Sequence, residues 1–279
     1  MIGNYSITEW LAFFYIYSFF GWCIESTIVS VTRHHLINRG FMAGPMLPLY
    51  GSGALVILLA TIWVNDNVLY VYIFGATGAT LLELVTGIVM EQLFKIRYWD
   101  YSSKRFNFKG YICLKSSLFW GVLSVLVVCV VHRPVAHIIT ELQPQTLNII
   151  VGIITVVALI DFAHAFKNAY DFKKLLSYET RIKKELSLLT EKFQMAGRAL
   201  AEQRHKDGKH EHAADFVMAG ASEDEIDKQK MRIEHLKEEL EEAKQKLLSF
   251  RFYMFKGFPS ATSKKFGEAL EEFKKKFNK

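Results

Sequence analysis

Glu83, Gly87 and Glu91 recur at intervals of four in a segment that is otherwise almost wholly apolar. A helix there carries two carboxylates along one face, and the glycine between them admits a close neighbouring helix. Glu25, Asp161 and His164 stand in similarly apolar surroundings. An ionisable group at membrane depth is costly unless it is paired or faces water, so these residues are candidates for ion or proton handling or for holding a charged substrate. A purely structural role is also open: Glu25 and Glu83 could pair with Arg39 or Arg97 and brace the helices. Glu91, near the end of its segment, could snorkel to the interface. Asp161 and His164, one turn apart, could relay a proton, bind a metal or simply end a span. His34, His35, His205, His210 and His212 fall in loops without the carboxylate or thiol spacing that specifies a metal. No catalytic residue, metal ligand or cofactor is therefore expected.

Two further stretches are richer than connectors need to be. Asn38 to Ala54 holds Gly40, Gly44, Gly51, Gly53, Pro45 and Pro48, which implies broken or re-entrant backbone on the approach to a helix. At membrane depth such backbone is tolerated only where it lines a cavity or is buried in protein; the alternative is a tight interfacial turn. In Tyr98–Ser102 and Phe106–Tyr111, aromatics mixed with basic residues suit the headgroup layer. Anchoring does not account for Asp100 and Asn107. The candidate pocket is accordingly Glu25, Asn38, Arg39, Gly40, Gly44, Pro45, Tyr50, Glu83, Trp99, Asp100 and Asn107.

The elements that must position these residues follow from the charge distribution. The first 166 of 279 residues hold nine Lys/Arg and eight Asp/Glu, against 25 and 20 in the remaining 113. So few charges cannot solvate a globular surface, and the first part reads as an all-α polytopic membrane domain, residues 1–168. Five apolar segments reach spanning length, at about 7–31, 47–64, 68–93, 116–132 and 147–166. Arg33 and Arg39 follow the first; Lys95, Arg97, Lys104, Arg105, Lys109 and Lys115 follow the third; only Arg133 follows the fourth. That asymmetry predicts an outside N-terminus and a cytoplasmic C-terminus. The first apolar run lacks a basic n-region and a cleavage site, so it reads as a retained span. Cys23, Cys113 and Cys129 form no paired motif and read as packing thiols. The net charge of +6 suits basic loops beside an anionic leaflet, not nucleic acid.

Beyond Tyr170 the pattern becomes heptads: Leu175, Ile182 and Leu189, then Ile226, Ile233, Leu240 and Leu247. His205–His212 is a polar breaker, and Ser222 with Glu225 makes a capping box for the second run. An antiparallel cytoplasmic coiled-coil hairpin over 169–255 is expected. After the helix stop Gly257-Phe258-Pro259, a basic amphipathic tail over 256–279 has Phe266, Ala269, Leu270, Phe273 and Phe277 along one side, suited to a membrane surface.

Taken together, Gly21-Trp22 with Glu25, NRGFMAGPMLPLYGSGA from Asn38, Leu82-Glu83 with Gly87 and Glu91, RYWDYS from Arg97, FNFKGYIC from Phe106, and Ser117 before Trp120-Gly121 resemble the family of putative ABC transporter permeases, type IV. The resemblance covers about residues 13–165. It implies a multipass protein of the bacterial cytoplasmic membrane, often with a charged helical tail. It also marks Pro48, Gly51, Tyr101, Gly110 and Trp120, beside the candidate pocket, as site or scaffold. No G-x-x-x-x-G-K-[ST] occurs, so an ATPase must come in trans. Five spans are few for a translocation path, which argues for at least a homodimer. The expected function is a non-enzymatic transport component with an inward-opening polar pocket; the alternative is a membrane-anchored scaffold acting through its coiled-coil tail. An intramembrane enzyme using Asp100, Glu83 or His164 as acid or base ranks below both, because no activated nucleophile or Asp-rich metal motif appears.

Overall fold

A computed structural model describes residues 5–207, 223–249, 258 and 260–277. The chain divides into two compact units: one runs to Asp171 and takes in the later segment ending at Gly267, and the other begins at Phe172 and takes in Glu268–Lys276.

In the first unit α1 (Ile7–Arg33) starts at Ser6, whose side chain accepts from the Glu9 amide while the Glu9 carboxylate returns to the Ser6 amide. This reciprocal cap satisfies two donors the helix would otherwise leave open. The chain is then irregular until α2 (Pro48–Thr61), where proline occupies the first turn and needs no N–H partner. Gly51 and Gly53 fall inside α2, so the break expected over 38–54 is confined to the residues before Pro48. α3 (Val68–Phe94) begins on an Asn67 cap and ends on Lys95 in the left-handed region. Asn107–Phe108 (β1) and Ile112–Cys113 (β2) form a small antiparallel hairpin. α4 (Leu114–Val125), a π-helical turn over Leu126–Val131 and α5 (His132–Glu141) follow without a break.

The fourth apolar segment was expected to end at His132 in a loop holding Arg133; the helix instead continues to Glu141. Within the π turn the His132 N–H bonds the Val127 carbonyl, five residues back. This widened ladder is where Pro134, with no N–H to give, is accommodated. α6 (Pro144–Asp207) is one helix of 64 residues.

Among the described residues four helical stretches are long and apolar enough to cross a membrane: Ile7–Arg33, Val68–Phe94, Leu114–Glu141 and Pro144–Met195. The sequence pattern predicts five. The difference is α2, whose 14 residues rise only about 21 Å, because the helix gives way to turn at Ile62, before the apolar segment ends. α2 packs between α1 and α3, and α4 lies on α3. Two contacts show how tightly. A Cβ on Gly51 would run into Ser18 and the Phe14 carbonyl of α1, and one on Gly121 would run into the Tyr72 ring of α3. Lipid is as apolar as leucine, so close backbone approach and shape hold such helices together.

In the second unit Ile182, Leu236, Leu240 and Ala243 form a buried cluster with Leu186 and Leu189 around it. These residues come from the distal part of α6 and from α7 (Glu223–Ser249), and Arg232 bonds Glu185 at 2.9 Å. α8 (Gly267–Phe277) contributes Phe273, fully buried with its ring 4.8 Å from Phe172. Ala269 and Leu270 are buried with it, so these residues of the side expected to face a membrane surface are enclosed in protein. The polar breaker from Gly208 onward, the Ser222 cap and the stop at Gly257 and Pro259 lie outside the described residues.

Candidate functional site

Glu83 sits on the buried face of α3, with 5% of its surface exposed. Its Oε2 accepts from the Ser116 hydroxyl and the Trp120 indole N–H, both at 3.0 Å, and its Oε1 accepts from the Tyr101 hydroxyl at 3.1 Å. All three donors are neutral. Among the described residues no Lys, Arg or His forms an ion pair with this carboxylate, so bracing by Arg39 or Arg97 does not occur at Glu83. Hydrogen bonds to a charged acceptor contribute about 1.5–3 kcal/mol each and offset part of the cost of burying it.

Glu25, on α1, does have the cation the sequence offered it. Arg39 Nε is 3.3 Å away and the Tyr50 hydroxyl donates at 2.7 Å. The Tyr50 ring lies 5.3 Å from Trp120, so the surroundings of the two carboxylates are joined through an aromatic pair. Glu91, the third acid on this side, is not a snorkelling residue: Arg97 Nε meets it at 2.6 Å and the Tyr111 hydroxyl at 2.5 Å.

The irregular stretch before α2 is held by side-chain hydrogen bonds. Asn38 Oδ1 accepts from Trp22 Nε1 and from the Gly40 amide, each at 2.8 Å, while its Nδ2 donates to the Ala43 carbonyl at 2.8 Å. Ser30 and Ser26 of α1 accept from the amides of Ile37 and Arg39. Asp161 closes the loop from α6, accepting from Ala43 N at 3.0 Å and Gly44 N at 2.7 Å. This residue, which the sequence left at the end of a span, is a cap for the glycine loop.

Asp100 accepts from the Ser102 amide and hydroxyl and from Thr262, with Arg97 at 4.0 Å. Burial pushes its carboxyl upward, but these bonds and Arg97 outweigh that and hold it below the usual range. Asn107 braces the turn at Gly110, accepting from that amide at 3.1 Å and donating to Lys104 O at 2.8 Å. Trp99 donates to the Tyr111 carbonyl at 2.9 Å. Thr262 pairs with Arg97 through both backbone groups, at 2.8 and 3.0 Å, which adds the later segment to this loop. Burial, with Glu83 beside it, pushes the Tyr101 phenol far up, so it stays a donor.

A cavity of about 330 Å³ opens among these residues. Of the predicted pocket residues, Glu25, Arg39, Tyr50, Glu83 and Trp99 line it. Asn38, Gly40, Gly44, Pro45, Asp100 and Asn107 do not; Asn38, Asp100 and Asn107 build the loops around it, and Gly40 and Gly44 lie in the loop that Asn38 and Asp161 hold. Tyr101, Ser116 and Trp120 also line the cavity and complete the Glu83 cradle. Tyr101 and Trp120 lie in the motifs that mark the family resemblance; Ser116, 33 positions from Glu83, carries no sequence signal. Apart from Thr86 and Tyr98 the rest of the wall is apolar, with Phe41, Leu93, Phe94, Phe162, Phe166 and Phe258. Arg39 sits over the Phe258 ring at 4.4 Å. Among the described residues no group of three His, Cys, Asp or Glu side chains is placed to hold a metal ion.

Residues 12–166 match the family model described as Putative ABC-transporter type IV. No curated protein and no solved structure matches the chain.

Proposed function

The chain belongs to the putative ABC-transporter type IV family, and from that premise we propose that it is the membrane component of a transport system whose ATPase is supplied in trans. The cavity around Glu25 and Glu83 is the substrate pocket, opening toward the cytoplasm in the orientation set by the basic loops. The membrane domain works as a homo-oligomer, and the distal parts of α6 and α7 form the cytoplasmic coiled-coil arm on which the ATPase docks.

The observation that carries this reading is a buried carboxylate, Glu83, lining a cavity and held by neutral donors alone. A bracing residue gains most from a cation; a binding residue needs its charge left available. The test has two parts. Glu83→Gln is expected to leave the amount of protein in the membrane close to wild type while abolishing its function. Purification of the full-length chain at native expression, after light cross-linking, is expected to retain a P-loop ATPase in an amount that depends on residues 170–255. Loss of the protein itself in the variant, or repeated recovery without any ATPase, overturns the reading.

The buried cluster of Ile182, Leu236, Leu240 and Ala243, with Arg232 bonded to Glu185 on its flank, favours one alternative. Paired arms with charged flanks select partners by themselves, so a membrane-anchored scaffold is the second reading. It predicts that the arm expressed on another anchor retains the phenotype.

A further inference from the structure

Among the described residues three charged side chains line the cavity: Glu25, Arg39 and Glu83. Arg39 is paired with Glu25, so the wall carries one net negative charge, on Glu83. An ionised carboxylate has about four lone-pair sites. Three are used, two on Oε2 and one on Oε1, which leaves acceptor capacity on Oε1.

Apart from Tyr98, whose buried hydroxyl has no partner among the described residues, the polar aromatic residues around it have little else to give but their faces. The Tyr50 hydroxyl is donated to Glu25, the Trp99 indole N–H to the Tyr111 carbonyl, and the Tyr101 and Trp120 donors to Glu83. Rings whose polar handles are already spent present negative π faces, which attract cations and suit alkylated ammonium groups. A phosphate or a sugar would find few donors here, because the one cation lining the cavity among the described residues is already engaged with Glu25. Away from Glu83 the wall is mostly apolar and rich in phenylalanine and leucine, Thr86 and Tyr98 being the polar exceptions, and a cavity of about 330 Å³ is within the range of small-molecule sites.

We propose that the cavity binds an amphiphilic organic monocation, its ammonium head against Glu83 and the aromatic faces, its alkyl or aryl tail along the phenylalanine wall. This rests on the reading of the cavity as the substrate pocket and names the substrate class.

The test uses the full-length chain in maltoside micelles, with empty micelles subtracted, titrated calorimetrically with decyltrimethylammonium, decyl sulfate and decanol. Equal tails isolate the head. Saturable binding of the cation is expected, at least about tenfold tighter than of either other probe, and about tenfold or more weaker in Glu83→Gln. Glu91→Gln, outside the cavity wall, is expected to bind the cation as wild type does. Equal or tighter binding of the sulfate or the alcohol overturns the proposal, as does saturable binding of none of the three. A folded Glu83→Gln that binds the cation unchanged also overturns it. Should that variant not fold, the head-group comparison on the wild-type chain decides. Cation selectivity without any ATPase partner leaves this inference standing and removes the transport reading; an ATPase partner with anion-selective binding does the reverse.

Discussion

Asp161→Asn isolates the contact that pins the glycine loop to α6. The carboxylate receives two backbone donors, Ala43 N at 3.0 Å and Gly44 N at 2.7 Å. Asparagine offers one carbonyl oxygen and turns an N–H₂ toward the other amide, so one charge-assisted bond is lost outright and the other becomes neutral. Charge-assisted bonds contribute about 1.5–3 kcal/mol and neutral ones about 1 kcal/mol. With a discount for the exposure of Ala43, the loss is about 2–3 kcal/mol. For a chain of this size that lowers the melting temperature by about 5–10 °C. It also speeds exchange of the Ala43 and Gly44 amides by about 30-fold to 150-fold if they exchange by local opening. Tryptophan-monitored melting in detergent and residue-resolved hydrogen exchange read the two effects separately. Glu141→Gln, which breaks only an exposed 3.9 Å contact with His137, is the control and is expected to change neither. If Asp161→Asn melts with wild type and the two amides keep their protection, the loop is held by something other than this cap.

Gly51→Ala places a methyl 2.5 Å from the Phe14 carbonyl, a backbone atom that cannot swing aside; a loss of about 1–3 kcal/mol is expected, read as a lower melting temperature. Asp100 has a folded-state pKa below its ordinary 3.8, so its contribution is complete above that value and fades as the pH falls through the lower, folded one. Exchange at the Thr262 amide, corrected for intrinsic rates, is expected to rise in that acid window, and Asp100→Asn is expected to remove the dependence; the same acid onset in both proteins would exclude Asp100 as its source. Phe273→Ala empties a fully buried site against Phe172. It is expected to cost the second unit about 3–5 kcal/mol, seen as faster proteolysis within α7.

Much of the fold is legible in local pattern. α3 runs over Val68–Phe94 where the apolar segment predicts 68–93, because an Asn cap and an unbroken apolar run decide its ends. The heptad positions Ile182 and Leu240 meet in one cluster, with Leu189 packed against it, because period and burial coincide. The Glu25–Arg39 pair was legible because its residues are 14 apart and the loop between them has little room to go elsewhere. What stayed hidden is long-range or backbone-borne. Asp161 meets Gly44 across 117 positions, and nothing in an isolated aspartate near a span end says that two amides will point at it. Ser116 is one serine among many until α4 is set beside α3. The helix past His132 is hidden because the apolar run ends there and Arg133 follows, and the π turn that carries the helix on through Pro134 has no sequence signature in a run of valines.

That π turn sets the phase of everything after it. Upstream, α4 turns Gly121 and Ser124 toward Tyr72 and Gly75 of α3; downstream, α5 turns His132 toward α1, with Nδ1 2.9 Å from the Tyr17 hydroxyl and its ring 5.0 Å from Phe13. One helix thus serves two neighbours by slipping its angular register between them. Each π residue turns the chain less than an α residue does, so the six residues Leu126–Val131 sweep about the angle of five α residues. Deleting a single one would let the ladder close as ordinary α-helix with His132 still facing α1, but would remove the widened turn beside Pro134: the extra residue in this run serves the proline, and the facing of α5 survives its loss.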